Sequence, residues 1–258
     1  TRADLDITDR TALDHAISST GAGVVINCAA YTKVDLAETE KDLAHAVNVE
    51  AVKQIARACA ARGIPLIHIS TDYVYDQDPG RPFREEDPVQ PRSVYARTKL
   101  DGEQAALMLH PQTVVLRTSW VFSDYGHNFV KTMLRLAQEG RSLKVVADQT
   151  GCPTYARDLA QAIIRVIEVL ETGKDDLFGV YNFSNSDPTN WHDFAAEIFR
   201  QAGLTADLSP TTTAAYVTPA RRPSYSVMDT SKFQIAFGFI PRPWQEALAE
   251  CLPHVIPA

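Results

Sequence analysis

The stretch "HISTDYVYDQDPGRPFREEDPVQPRSVYARTKLDGE", residues 68–103, joins two unlike signals. The apolar run "IPLIHIS" over 64–70 reads as a strand buried on both faces, and it ends in Ser70, Thr71 and Asp72. After a loop rich in Pro and charge, Tyr95 and Lys99 stand four apart at the start of a helical segment, so both side chains leave one face. A free phenol has a pKa of about 10, and a neighbouring ammonium favours its phenolate. Hydroxyls at the carboxyl end of a parallel strand stand where open α/β sheets bind ligands. The combination suits proton transfer to a carbonyl that is being reduced, with hydride from a cofactor.

Outward from this stretch, strands alternate with helices. The run 24–28 and the segments "TVVLRTSW" (113–120) and "GVYNFS" (179–184) read as further buried strands, with a fourth apolar segment at "LKVV" (143–146). Helices are expected over 8–19, 41–62, 94–107, 128–138, 159–170 and 190–202; Leu43, Val47, Val52, Ile55 and Cys59 mark the apolar face of the second, and Gly63 is placed to end it. The pattern predicts an α/β fold with a doubly wound, Rossmann-like parallel sheet. Strands at 24–28, 65–70, 114–118 and 180–183 are expected to lie parallel in one sheet. After Ser184 the texture turns Pro- and Thr-rich, which predicts a smaller, loop-rich substrate lobe. The expected division is 1–123 with 155–184 as the dinucleotide-binding domain, and 124–154 with 185–258 as the substrate-binding lobe.

Totals narrow the function classes. The chain has 258 residues, 45% apolar and 22% charged, enough for a sizeable core. A net charge of −7 without long runs argues against nucleic acid as a partner, and no apolar run approaches the roughly 20 residues of a membrane span. Cys28, Cys59, Cys152 and Cys251 lack metal-ligand spacing. Reduced thiols and a cytoplasmic location are the expectation. No metal site is assigned: His68, His127 and His192 lack ligand partners at useful spacing, and Glu85-Glu86-Asp87 reads as a solvated loop. Arg221 and Arg222 are adjacent guanidiniums in a negatively charged chain, and a diphosphate would give them a reason. Trp120, at the end of a strand, suits stacking on a base or a sugar as well as the core.

A strand ending Ser-Thr-Asp followed by a helix opening Tyr-x-x-x-Lys resembles the extended short-chain dehydrogenase/reductase family. Within it, "NCAAYTKVDLAE", "STDYVY", "VYARTKLDGE", "LRTSWVF", "NFVKTMLRLA", "DQTGCPT" and "ARRP" occur in the order of the dTDP-4-dehydrorhamnose reductases, and the resemblance spans residues 6–244. It implies Thr71, Tyr95 and Lys99 as the catalytic trio, with Tyr95 the proton donor and Lys99 also on the nicotinamide ribose. It implies Asp6, Ile7, Ala29, Ala30 and Tyr31 along an NAD(P)H cofactor, and Trp120, Asn128, Gln149, Pro153, Thr154, Arg221 and Arg222 around a dTDP-sugar. Some relatives use Mg²⁺, which the resemblance places on no residue here; homodimer formation is compatible with it. The Gly-x-x-Gly-x-x-Gly turn that would cradle the pyrophosphate is absent from these residues, so a chain starting at Thr1 is expected to bind NAD(P)H weakly. Arg2 at the end of the second strand favours NADPH over NADH, because it tolerates a 2′-phosphate.

Rival readings differ at named positions. A dehydratase of the superfamily needs a second carboxylate after the strand-end Thr-Asp, where Tyr73 stands. A 4-epimerase shares the Tyr/Lys pair, and other nucleotide-sugar 4-ketoreductases share the whole motif set. A non-catalytic regulatory subunit, related to that of methionine adenosyltransferase, keeps the fold without needing Thr71, Tyr95, Lys99 and the arginine pair together.

Overall fold

A computed structural model describes residues 3–255. Thr1 and Arg2, on which the cofactor preference rests, lie outside them. The strands in chain order are β1 (Val25–Asn27), β2 (Leu66–Thr71), β3 (Thr113–Thr118), β4 (Val121–Phe122), β5 (Leu143–Val146), β6 (Thr150–Gly151), β7 (Thr154–Tyr155), β8 (Gly179–Asn182), β9 (Thr189–Asn190) and β10 (Leu208–Thr211). The helices are α1 (Arg10–Ser19), α2 (Lys41–His45), α3 (Ala51–Arg62), α4 (Val94–Leu109), α5 (Phe129–Gln138), α6 (Ala156–Leu170), α7 (Trp191–Ala202), α8 (Ser231–Phe237) and α9 (Trp244–Val255).

The principal sheet has the order β1-β2-β3-β8, and all three pairings are parallel, as expected. Alternation along β2 divides the apolar core between the faces. Leu66 packs with Leu13, Ile17, Val52, Ile55 and Ala106 of α1, α3 and α4, whereas Ile67 packs with Leu159, Ile163, Val166 and Phe233 of α6 and α8. Helices therefore cover both faces. A separate apolar cluster joins α5, α7 and α9 with β5 and β7 through Met133, Leu134, Val145, Tyr155, Phe194 and Trp244. Its elements include structure that the Pro/Thr texture hid. β10 pairs parallel with β5 alone, so Pro210 costs only an edge donor, and α8 and α9 follow in the stretch read as mostly loop.

The long helix expected over 41–62 is interrupted. Ala46–Glu50 forms a π turn between α2 and α3, and Gly63 then ends the helix in the left-handed conformation (φ 65°). The π turn delivers the buried Asn48 side chain to two places. Its Oδ1 accepts from Tyr31 N at 2.8 Å, and its Nδ2 donates to Tyr31 O (3.2 Å) and Thr98 Oγ1 (3.1 Å). The Asn48 carbonyl lies so close to α4 that a Cβ on Gly102 would meet its oxygen at 2.0 Å. Gly102→Ala is thus expected to force α4 off the π turn, at a cost of about 3 kcal/mol. The check is thermal unfolding: Tm should fall by roughly 6 °C or more, and an unchanged Tm would refute the close packing.

Candidate active site

Three consecutive residues of β2 meet three successive turns of α4. Thr71 and Tyr95 line one cleft, with the Thr71 hydroxyl donating to Asp72 Oδ1 at 3.1 Å; the Ile69 carbonyl accepts from Lys99 Nζ at 2.6 Å, and Ser70 Oγ donates to Glu103 Oε2 at 2.8 Å. The helix supplies its side at spacing four, Tyr95, Lys99 and Glu103. Ser93 starts it: as N-cap, its side chain accepts from Ala96 N. Behind the ladder, Glu103 receives the Arg117 fork from β3, Nε to Oε2 at 3.1 Å and Nη2 to Oε1, while Arg117 Nη1 donates to Tyr75 OH at 2.6 Å. Ser70 and Arg117 are cross-strand partners, so one carboxylate clasps both strands and the helix.

Electrostatics refine the proton-transfer reading. Burial pushes the Tyr95 phenol up to about 12, although the neighbouring Thr71 hydroxyl opposes this. Burial brings Lys99 down to about 8, and the Glu103 carboxylate opposes that shift. The net shift of the phenol is therefore upward, where the Tyr/Lys pairing predicted a lowering, and Lys99 Nζ is engaged by the strand carbonyl. At neutral pH Tyr95 is a protonated donor, the form that reduction needs. Asp72, missed as a site residue, is buried beside it and pushed up to about 7 by that burial, against hydrogen bonds with Ser226 and Thr71.

Thr71, Tyr95, Lys99 and Trp120 line a cleft of about 350 Å³ over the strand ends. Cys28, Ala30 and Thr32 are shared with a larger trough of about 720 Å³, which Asp6, Ile7, Ala29 and Tyr31 also line. Small residues at the end of β1 allow close approach, and Leu5, Ile7, Leu43 and Val47 give an apolar wall suited to a flat base. The residues present thus fit the adenosine and nicotinamide ends of a dinucleotide.

A model of the family described as RmlD substrate binding domain matches residues 1–256. The chain belongs to this family, the dTDP-4-dehydrorhamnose reductases. The dTDP-4-dehydrorhamnose reductase of Aggregatibacter actinomycetemcomitans is 42% identical over 252 residues, 95% of this chain and 86% of the relative. A Streptomyces antibioticus protein described as a probable dTDP-4,6-dihydroxy-2-methyloxan-3-one 4-ketoreductase is 41% identical, over 98% of this chain and 85% of its own. Among solved structures, a dTDP-4-dehydrorhamnose reductase from Bacillus anthracis in complex with NADP superposes with a TM-score of 0.91 at 36% identity, covering 98% of this chain and 88% of the other.

In this dTDP-4-dehydrorhamnose reductase family member, the residues expected around the sugar nucleotide separate. Gln149 and Arg222 line a groove of about 280 Å³, which Trp191 joins to the cleft beside Tyr95 by lining both. Trp191 stacks on Trp120 (centroids 3.6 Å apart, 11° between planes), and Gly151 leaves room for them, since a Cβ there would lie 2.7 Å from the Trp120 ring. In the sequence Trp191 stands only at the start of the helix expected over 190–202. Arg221 and Arg222 diverge: Arg221 pairs with Asp76 at 3.0 Å, while the Arg222 fork pairs with Asp35. Asn128 caps α5, accepting from Lys131 N and donating to Ser123 O at 2.6 Å. Pro153 and Thr154 are buried at the start of β7. Glu85 accepts from Asn182 N and Asp87 pairs with Arg81, which uses that carboxylate cluster internally. His68 is buried against Asn27, and His192 contacts Asp193. No helix among the described residues is long and apolar enough to cross a membrane, and no metal-holding cluster occurs among them.

Proposed function

We propose that the protein is an NAD(P)H-dependent oxidoreductase that reduces the 4-keto group of dTDP-4-dehydro-L-rhamnose to give dTDP-L-rhamnose for cell-surface polysaccharide synthesis. One observation carries the reading: a protonated Tyr95 shares with Thr71 and Lys99 a cleft between a dinucleotide-sized trough and a groove for the rest of a nucleotide sugar. Bound NADPH supplies the hydride. Tyr95 gives its proton to the C4 oxygen, Thr71 orients that oxygen, and Lys99 holds positive charge below the strand end. In this reading, residues 1–123 with 155–184 hold the cofactor, and 124–154 with 185–258 hold the sugar nucleotide. The relative solved with NADP supports NADPH as the preferred cofactor. The buried free thiols of Cys59, Cys152 and Cys251 support a reducing, cytoplasmic setting.

A second reading is favoured by the Streptomyces antibioticus relative, whose name gives a different 4-keto sugar, at 41% identity against 42%. The experiment that separates them is NADPH oxidation by the full-length protein, with dTDP-4-keto-L-rhamnose, other dTDP-4-keto sugars and simple ketones. Oxidation is expected with the first and slow or absent with the rest. Preference for another dTDP-sugar selects the second reading, and equal reduction of simple ketones overturns both.

A further inference from the structure

Arg222 is not free to turn. Its Nη1 and Nη2 donate to the two Asp35 oxygens at 3.1 and 2.7 Å, and Nη1 also reaches Thr218 Oγ1 and Ala220 O. The same Asp35 carboxylate accepts from Ala220 N at 3.1 Å. Asp35 lies 187 residues from Arg222, in the segment that follows Tyr31, Thr32 and Lys33 of the cofactor trough and begins the short helical turn Leu36–Glu38. Arg222 lines the nucleotide groove with Tyr216 and Thr218 of its own segment. One carboxylate thus holds the end of the guanidinium and the backbone beside it, across the mouth of the site.

A guanidinium binds anions bidentately along two kinds of edge, the end (Nη1 and Nη2) and the side (Nε with Nη2). Asp35 occupies the end, and no hydrogen bond from Nε occurs among the described residues. The burial is partial, with Arg222 side-chain exposure 23% and Asp35 39%, so the pair is a geometric restraint more than a source of stability. Asp35 is held below the usual carboxylate range, chiefly by its bond from Arg222, so the restraint persists across neutral pH. Arg221, aimed at Asp76, has no such restraint toward the groove.

We infer that Asp35 is a positioning residue for substrate: it fixes Arg222 with its side edge presented to the groove, where a nucleotide diphosphate is gripped, and it ties the 212–222 segment over the site. This rests on the proposed reduction of a dTDP-sugar. Preorganising a rotamer-rich side chain removes an ordering cost from binding, so the effect belongs in affinity and not in the chemical step.

The test is steady-state kinetics of the full-length enzyme with Asp35→Ala, Asp35→Asn, Arg222→Ala and the Asp35→Ala/Arg222→Ala double variant. Asp35→Ala should raise the KM for dTDP-4-keto-L-rhamnose about tenfold, with kcat within about twofold and the NADPH KM unchanged. The double variant should be only slightly worse than Arg222→Ala, because Asp35 acts mainly through that arginine and its bond from Ala220 N is the lesser tie. Asp35→Asn, which keeps size and an acceptor, should fall between and guards against a folding defect in the alanine variant. An unchanged KM, or additive losses in the double variant, overturns the inference. A lowered KM overturns it too, since it would make Asp35 a competitor of the diphosphate. If wild-type enzyme fails to reduce any dTDP-4-keto sugar, the functional reading has failed instead.

Discussion

Tyr95→Phe is expected to lower turnover by about 10²-fold or more while leaving the substrate KM within a fewfold of wild type. The substitution removes one oxygen and keeps the ring, which packs edge-to-face on Tyr73 with centroids 5.8 Å apart. What is lost is the hydroxyl that shares the cleft with Thr71 and that would protonate the C4 oxygen as hydride arrives. Without it the developing alkoxide has only the Thr71 hydroxyl, and proton delivery falls to water. The ground-state ketone gains little from a phenol held at about 12, so affinity should barely change. Wild-type rate should also decline as pH rises above about 8: burial lowers Lys99 to that value, and a neutral amine no longer stabilises negative charge at the strand end. NADPH oxidation measured across pH for both proteins checks this. A Phe variant at near wild-type turnover would remove Tyr95 from the mechanism.

The parts of this site that sequence reading reached are those set by local periodicity. Tyr95 and Lys99 share a face because four residues make about one turn, and β2 was visible because a strand buried on both faces is apolar throughout. Partners brought in from afar were not legible. Arg117 meets Glu103 from another strand, and Asp35 meets Arg222 across 187 residues. Asn48 reaches Tyr31 and Thr98 through a π turn that no pattern of Leu and Val announces. Adjacency misled as well: Arg221 and Arg222 read as one cationic cluster, yet neighbours in a non-helical stretch need not share a face, and these grip separate carboxylates. In the tail, Pro210 and a run of threonines masked β10, which as an edge strand tolerates both.

The largest stability effect should come from a residue that touches no substrate. Glu103→Ala is expected to cost about 3–5 kcal/mol, a large share of the stability of an ordinary domain. The pair it breaks is nearly inaccessible, with side-chain exposures of 2% for Glu103 and 5% for Arg117. Arg117 cannot shed its charge to escape, because a guanidinium titrates far above neutrality and this one is raised further by Glu103 and Tyr75 despite burial. Truncating Glu103 therefore leaves a buried cation with Tyr75 OH and the Glu85 carbonyl for partners, and it orphans Ser70 Oγ in the next strand. Removing both members of the pair is a different perturbation: Glu103→Leu with Arg117→Met takes away the uncompensated charge, so the double variant should recover much of the loss. The activity of whatever stays folded should fall in Glu103→Ala, since the carboxylate also opposes the burial-driven lowering of Lys99. Thermal unfolding decides the matter. A Tm roughly 10 °C lower is expected for Glu103→Ala, with a smaller drop in the double variant. Equal drops in the two would mean that packing, and not the stranded charge, sets the cost; a drop under about 2 °C would mean that water reaches Arg117 and the network is not closed.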